Sequence, residues 1–260
     1  MERCLSSLRG LNVRVLLMDS FSQDGTLDRA QEVWRMLGEP AASIATVART
    51  WQGFTAARND SLKWVRTPWV LWLDADEWLS EPLRLELPAR LAAPLGPTDP
   101  KVFRLPRRSH FLGRQIRFGG WYPDPKTRLA RAALCVWRAG PDQSDVHEDL
   151  FALDGSSPGR LRSDLEHEGF RNIREQEETN DRYSGLLAAG LARKWRKMGR
   201  KPPGRLFIGY RSAVKFVENY IFKLGILDGW PGFVIARGSA RSLRMRLRKA
   251  GALLSEPGTP

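Results

Sequence analysis

The sequence is poor in the features that mark several protein classes. Only two of its 260 residues are cysteines, Cys4 and Cys135, and no metal-ligand spacing joins them. Neither a disulfide framework nor a cysteine-based zinc site is therefore expected. No stretch approaches the roughly 20 apolar residues that a membrane-spanning helix needs. No internal repeat is visible. These absences favour a globular protein of a reducing, cytoplasmic compartment.

The charge of the chain is one-sided. Forty-two lysines and arginines against 29 acids give a net charge of +13, and hydrophobic residues make up 42% of the chain, enough for a real core. Such an excess implies an anionic partner: nucleic acid, an anionic membrane surface or a phosphorylated substrate. The bases are spread widely and no nucleic-acid motif appears, so nucleic acid is not expected as a partner.

One stretch combines a buried strand with a cluster of acids. Residues 69–73 are all apolar and follow Pro68, which predicts a strand buried on both faces. Asp74, Asp76 and Glu77 come directly after it. Acids at the C-terminal end of a parallel strand lie where α/β sheets bind ligands, and oxygen ligands with open positions suit Mg²⁺ or Mn²⁺ bridging substrate phosphates. The alternative is a strand that ends in a solvated acidic turn.

The remaining pattern predicts an α/β protein. Strands at 13–18, 43–47 and 69–73 alternate with helices at 26–37 and 54–66, which is a βαβ arrangement typical of a parallel sheet. A helix from 81 to 91 is expected to kink or end early at Pro88. Short strand candidates and then long helices follow, at 101–106, 109–112, 115–118, 126–130, 173–196, 206–224 and 230–254. We expect a catalytic domain over 1–168 and a helical region over 169–260.

Several segments, each weak alone, occur in an order and spacing that carry a resemblance. They are residues 18–26 (MDSFSQDGT), 53–59 (GFTAARN), 69–77 (WVLWLDADE), 111–114 (FLGR), 119–124 (GGWYPD), 146–148 (VHE) and 220–233. In them the chain resembles family 2 glycosyltransferases, in particular the bacterial branch that adds sugars to lipopolysaccharide core. The resemblance implies a GT-A fold, Rossmann-like, with a mostly parallel sheet, flanking helices and here a C-terminal helical extension.

The resemblance also implies an activity and a set of site residues. It implies inverting transfer from a nucleotide-sugar donor to a glycolipid or lipopolysaccharide-type acceptor, with Mn²⁺ or Mg²⁺. The position of Asp19 contacts the nucleoside base in such enzymes, and Arg58 helps to hold the nucleotide. Asp74 and Asp76, the DXD motif, bind ribose and the metal–diphosphate. The general base belongs near His147 and Glu148.

Chemistry argues for the same assignments. Inversion needs one base that deprotonates the acceptor hydroxyl, and Glu148 is the first choice, Asp149 the second and His147 the third. Positive charge must stabilise the leaving diphosphate. Lys126 and Arg128 are candidates for that clamp, or are plain surface bases.

Other residues leave alternatives open. Trp121 is expected either to stack on a sugar or to pack in the core. His110 and His167 are expected to be structural. The basic, aromatic C-terminal helices favour either peripheral attachment to the inner face of the cytoplasmic membrane or packing on the catalytic domain with a solvated face.

One departure from the family raises a second hypothesis. Family members begin with a strand ending in Asn-Glu, before the helix that here starts at Met1. We expect a truncated chain or a start assigned too late, with an exposed sheet edge if the strand is missing. The competing hypothesis is a non-catalytic remnant that binds nucleotide sugar or a partner.

Overall fold

The computed structural model describes residues 1–94, 96, 98–139 and 148–255. The α-helices of these ranges are α1 (Glu2–Ser7), α2 (Thr26–Met36), α3 (Phe54–Leu62), α4 (Glu81–Ala92), α5 (Ile173–Lys197), α6 (Arg205–Val217) and α7 (Trp230–Ser255). The strands are β1 (Val15–Asp19), β2 (Ile44–Ala48), β3 (Trp69–Leu71), β4 (Glu77–Leu79), β5 (Val102–Leu105), β6 (Arg107–Phe111), β7 (Arg114–Gln115), β8 (Lys126–Arg131), β9 (Cys135–Arg138), β10 (Asp149–Ala152), β11 (Gly159–Arg160) and β12 (Leu165–Phe170).

The chain divides into two compact units. The first, called here the N-terminal unit, comprises residues Met1–Arg107 and Pro125–His167. The C-terminal unit comprises Arg108–Asp124 and the chain from Glu168 onward. Residues 108–124 thus group with the C-terminal helices.

A βαβ unit opens the N-terminal unit. β1 and β2 pair in parallel, from Val15 opposite Ile44 to Asp19 opposite Ala48, and α2 makes the crossover between them. The buried face of α2 presents Trp34, which is 1% exposed. It packs in a cluster with Leu5 of α1. Crossover by a helix is what lets two parallel strands become neighbours.

The second sheet of this unit is mixed, with the strand order β11-β5-β8-β3. β3 pairs antiparallel with β8, β8 antiparallel with β5, and β5 parallel with β11. The protein is thus α/β as predicted, but the sheets are not mostly parallel. The reason is that β8 runs antiparallel beside β3, and an antiparallel pair needs no helical crossover between its strands.

A side chain closes one strand edge of the N-terminal unit. β9 pairs antiparallel with β10, with Trp137 opposite Leu150. On its other side the Asn59 carboxamide donates to the Trp137 carbonyl and accepts from the Trp137 N–H, both at 2.9 Å. These two bonds have the pattern of a neighbouring strand, and they join α3 to β9. The Trp137 ring meets Trp72 edge to face at 5.3 Å between centroids.

The C-terminal unit has its core where α7 meets the segment around Phe111. Phe111, Ile116 and Ile235 are almost completely buried in one cluster. α7 also packs against α5 and α6. Gly232 of α7 allows a close approach, because a Cβ there would lie 1.9 Å from the Gly225 carbonyl oxygen.

Most helices agree with the sequence-based expectations, with three exceptions. α3, expected over residues 54–66, ends at Leu62. α4 runs on through Pro88 to Ala92 instead of ending early. Pro88 removes one backbone hydrogen-bond donor, but the buried side chains of Leu83 and Leu87 still hold the helix against the core. α6 ends at Val217 and continues as a π-helical turn, Glu218–Phe222. None of the helices in the described residues is long and apolar enough to cross a membrane.

Candidate active site

The site is built on the turn that leaves β3. The Asp74 N–H donates to the Glu77 carboxylate at 3.1 Å, and the Glu77 N–H donates to the Asp74 carbonyl at 2.9 Å. This reciprocal pair closes the turn Asp74-Ala75-Asp76-Glu77. It directs the Glu77 side chain inward, where it is completely buried, while 43% of the Asp74 side chain and 53% of the Asp76 side chain remain exposed. The three acids therefore have different environments.

Glu77 is the centre of a buried ion network. Its Oε1 accepts hydrogen bonds from Arg107 Nη1 at 3.1 Å and from Arg128 Nη2 at 2.8 Å. Arg128, on β8, is 4% exposed and also donates to Asp74. Burial by itself lowers the pKa of Arg128, but Glu77 and Asp74 outweigh burial and raise that pKa, so the guanidinium stays charged. The network fixes the acidic turn to β8.

Arg58 joins Asp74 to a third carboxylate. Its Nη2 lies 3.0 Å from Asp74 Oδ1 and 3.3 Å from Glu148 Oε1. The guanidinium sits over the Trp137 ring, 4.3 Å from the centroid, a position that favours cation–π attraction. Burial lowers the pKa of Arg58 from its ordinary value, against the opposing effect of Asp74. α3, β3, β9 and the start of β10 thus converge on one charged cluster.

Asp76 has a separate partner. Its Oδ2 lies 3.6 Å from Nε2 of His167, which β12 places beside β4 through the pairing of His167 with Glu77. Burial raises the pKa of Asp76, but the hydrogen bond and charge of His167 lead the effects that hold it below its ordinary value. An exposed carboxylate oxygen and an imidazole nitrogen therefore share one edge of the acidic turn.

The remaining predicted residues of the N-terminal unit have partners of their own. Asp19, at the end of β1, accepts from the Ser22 N–H at 2.9 Å and from the Ser22 hydroxyl at 2.6 Å. The hydrogen bonds from Ser22 lower the pKa of Asp19. Asp149 faces Arg104 at 3.5 Å. Lys126 begins β8 opposite Leu105. His147 lies outside the described residues.

Trp121 belongs to the C-terminal unit. Its ring packs against Phe111 at 6.0 Å and Phe170 at 6.1 Å between centroids. It contributes to the same cluster as Ile116 and Ile235. Trp121 was expected either to stack on a sugar or to pack in the core. In the described structure its ring makes core contacts with Phe111 and Phe170.

The side chains of Asp74, Asp76 and His167 are the candidate ligands of a divalent cation at this turn. Within the described residues no three His, Cys, Asp or Glu side chains gather closely enough to enclose a metal ion. Asp74 is engaged by two arginines, whereas Asp76, 53% exposed, and His167, 16% exposed, form a pair of oxygen and nitrogen donors. Mg²⁺ and similar ions in phosphate-transfer sites use one or two protein ligands and complete their shell with phosphate and water. The pair fits a metal that is shared with a substrate diphosphate.

Sequence reasoning missed three members of the site. Glu77 was seen as one acid of three, and only the fold shows that it is buried. His167 was expected to be structural, because nothing in the sequence signals that β12 pairs with β4. Trp137 stands beside Arg138 in the sequence, yet its ring lies under Arg58. Contacts between segments that are far apart in the sequence bring all three residues into the site.

Comparisons with known proteins give a family and a relative of this chain. Residues 1–128 match the family described as Glycosyl transferase family 2. Over 244 residues the chain is 32% identical to a lipopolysaccharide core biosynthesis glycosyltransferase, LpsC, of Rhizobium meliloti (strain 1021). The alignment covers 92% of this chain and 82% of the relative.

Proposed function

Because the chain belongs to glycosyl transferase family 2 and is a glycosyltransferase, we propose that it moves a sugar from a nucleotide-sugar donor to a glycolipid acceptor of the lipopolysaccharide core type, with inversion. The observation that carries the proposal is the cluster in which Arg58 holds both Asp74 and Glu148. A cation and two acids at the end of a sheet strand supply what displacement of a diphosphate requires. The proposed acceptor follows from the relative, a lipopolysaccharide core biosynthesis glycosyltransferase.

Glu148 is the proposed general base. Its side chain is only 10% exposed, and its carboxylate lies 3.3 Å from Arg58. In the reaction the acceptor oxygen bonds to the anomeric carbon, the bond from that carbon to the diphosphate oxygen breaks, and the hydroxyl proton passes to Glu148. One displacement at one face inverts the anomeric configuration. Asp149 is the second choice and His147 the third.

The other acids and bases bind the donor in this proposal. Asp19 contacts the nucleoside base, and Asp74, oriented by Arg58 and Arg128, contacts the ribose. Lys126 is the diphosphate clamp that remains, since Arg128 is buried against Glu77 and acts through Asp74. Trp121 as a sugar platform is the weaker part of the proposal, because its ring packs against phenylalanines.

Asp76 and His167 are the proposed ligands of Mn²⁺ or Mg²⁺. A bound ion would supply positive charge to the leaving diphosphate. His167 replaces Asp74 as the partner of Asp76 in this role, because Asp74 already has two arginine partners. We place the protein on the cytoplasmic side of the membrane, in peripheral contact with anionic lipid, since its substrate would be a glycolipid and its net charge is +13.

The test is donor turnover. Purified protein is mixed with a panel of nucleotide sugars, Mn²⁺ and a delipidated core oligosaccharide, and nucleoside diphosphate release is followed. We expect release with one donor, an inverted anomeric centre by NMR, and loss of at least about 100-fold in Glu148→Gln. Asp149→Asn is the matched control. Inversion with full activity in Glu148→Gln would rule out the assigned base.

Metal binding is tested without turnover. Manganese EPR in the presence of nucleoside diphosphate is expected to report a bound ion in the wild type and weaker binding in Asp76→Asn and His167→Ala, with Asp164→Asn as control. Unchanged binding in both variants would contradict the ligand assignment. Donor binding without any turnover across the panel would favour the non-catalytic remnant instead.

A further inference from the structure

α6 has an unusual distribution of side chains. Among its residues only Ile208 is buried. Five large side chains are exposed instead: Leu206 (92%), Phe207, Tyr210, Val214 and Val217. At 100° per residue these five fall within an arc of about 100°, and Ile208 lies on the opposite side. The helix therefore turns its apolar face outward, the reverse of a helix that covers a soluble core.

The exposed apolar surface continues beyond the helix. Ile221 and Phe222 of the π-helical turn follow, and Phe222 is 78% exposed. Leu227 and Trp230, each 62% exposed, come after the next turn. We call this surface, from Leu206 to Trp230, the apolar face. So many exposed large apolar side chains in one stretch of the chain indicate an interaction site and not ordinary surface.

Basic residues accompany the apolar face. Between residues 193 and 230 the sequence has ten lysines and arginines and two acids, Glu218 and Asp228. Glu218 is already paired with Lys215 at 3.2 Å and Lys223 at 2.6 Å. Asp228 accepts from the backbone N–H groups of Arg117 and Phe118. The rim is therefore positive, and Arg205 and Arg211 are exposed on α6 itself.

We propose that the apolar face lies in the headgroup region of an anionic bilayer, with Leu206, Phe222 and Trp230 entering the acyl boundary and the basic rim contacting lipid phosphates. An apolar stripe with a basic border fits that environment. A second copy of the chain fits less well, because two rims of the same sign would be brought together. The proposal deepens the proposed function by naming the surface through which the enzyme meets a membrane-bound acceptor.

The experiment is vesicle co-sedimentation of the full chain, without donor or metal. Vesicles of phosphatidylglycerol and phosphatidylcholine in equal parts are compared with pure phosphatidylcholine. The double variant Leu206→Ser/Phe222→Ser is expected to bind the anionic vesicles at least about tenfold more weakly, because two large apolar side chains no longer leave water. Leu85→Ser on α4 is the matched control, since Leu85 is 72% exposed and lies in the other unit.

Charge is tested separately from apolar insertion. Arg205→Gln/Arg211→Gln is expected to lose about tenfold or more on anionic vesicles and to be unchanged on neutral ones, since each base near an anionic surface contributes about a fivefold factor. Arg9→Gln/Arg66→Gln is the control with equal charge change. Unfolding midpoints of all variants are compared with the wild type, which keeps a folding defect distinct from a binding defect.

Each outcome decides the proposal. Wild-type sedimentation that falls with both face variants and not with the controls supports it. No sedimentation of the wild type with anionic vesicles, or equal binding by the Leu206→Ser/Phe222→Ser variant, overturns it. A wild-type dimer in sedimentation velocity that dissociates in the same variant, without vesicle binding, assigns the face to self-association and also overturns it. Turnover of a delipidated acceptor is measured independently, so a failed enzyme assay leaves the vesicle result standing.

Discussion

Replacing Glu77 with glutamine removes the charge at the centre of the buried network without changing its shape. The carboxylate receives three hydrogen bonds, two from the guanidinium groups of Arg107 and Arg128 and one from the Asp74 N–H. A bond between charged groups contributes about 1.5–3 kcal/mol and one with a neutral partner about 1 kcal/mol, so the two arginine bonds together lose about 1–4 kcal/mol.

The geometry adds a second cost. Both arginines bond to Oε1, so an amide oxygen must occupy that position and the amide nitrogen then faces the Asp74 N–H. Two donors facing each other in a buried place leave one unsatisfied, at about 1–3 kcal/mol. We therefore expect Glu77→Gln to lower the free energy of unfolding by about 3–4 kcal/mol, in line with other broken buried ion pairs.

Urea denaturation followed by circular dichroism measures this loss as a shift of the midpoint at constant slope. The control is Glu81→Gln, whose carboxylate is 75% exposed and 3.3 Å from Arg84, and which is expected to cost about 0.5 kcal/mol or less. A loss below about 1 kcal/mol in Glu77→Gln would refute the argument that the Glu77 carboxylate is dry and bonded on both of its oxygens.

Three further predictions concern other parts of the structure. Asn59→Ala removes both bonds to the Trp137 backbone and is expected to lower the free energy of unfolding by about 2 kcal/mol, measured by urea denaturation. Asn59→Asp keeps only the acceptor, so its stability should fall between those of the wild type and Asn59→Ala. Burial raises the pKa of the Cys4 thiol to about 12 and that of Cys135 to about 11. At pH 8.5 the thiolate fractions therefore predict reaction with iodoacetamide roughly 1000-fold slower for Cys4 and roughly 100-fold slower for Cys135 in the folded than in the unfolded chain. The same shifts favour the fold below the unfolded thiol pKa and lose that contribution as pH rises towards 11–12; stability that increases above pH 9 would contradict them. Phe111→Ala is expected to cost about 3–5 kcal/mol, measured by thermal or urea unfolding, because Phe111 is 1% exposed.

Local patterns in the sequence predicted the helices well, because their apolar spacing and stop signals are written within a few residues. The helix predicted at 173–196 runs from Ile173 to Lys197, and the one at 230–254 from Trp230 to Ser255. Where a rule based on neighbouring residues failed, packing elsewhere in the fold determined where the helix ends. Pro88 did not end α4, since burial of Leu83 and Leu87 continued to hold that helix.

The sheets were predicted less well, because pairing depends on distant segments. β12 fell in a polar stretch without strand periodicity, yet it pairs with β4 and brings His167 to Asp76. Arg128 stood among the basic residues of β8, and only the antiparallel pairing of β3 with β8 turns it towards Asp74 and Glu77. The acids of the site could be read from the sequence, whereas their partners could not.

The Asn59 carboxamide has a consequence for solubility. By filling both hydrogen-bonding groups of Trp137, it denies that position of β9 to a strand from another molecule. Exposed strand edges are where chains join into aggregates, and a side-chain amide is a short, non-propagating substitute for a neighbouring strand. Loss of this one amide would therefore weaken the fold and also lower the concentration at which the protein stays dispersed.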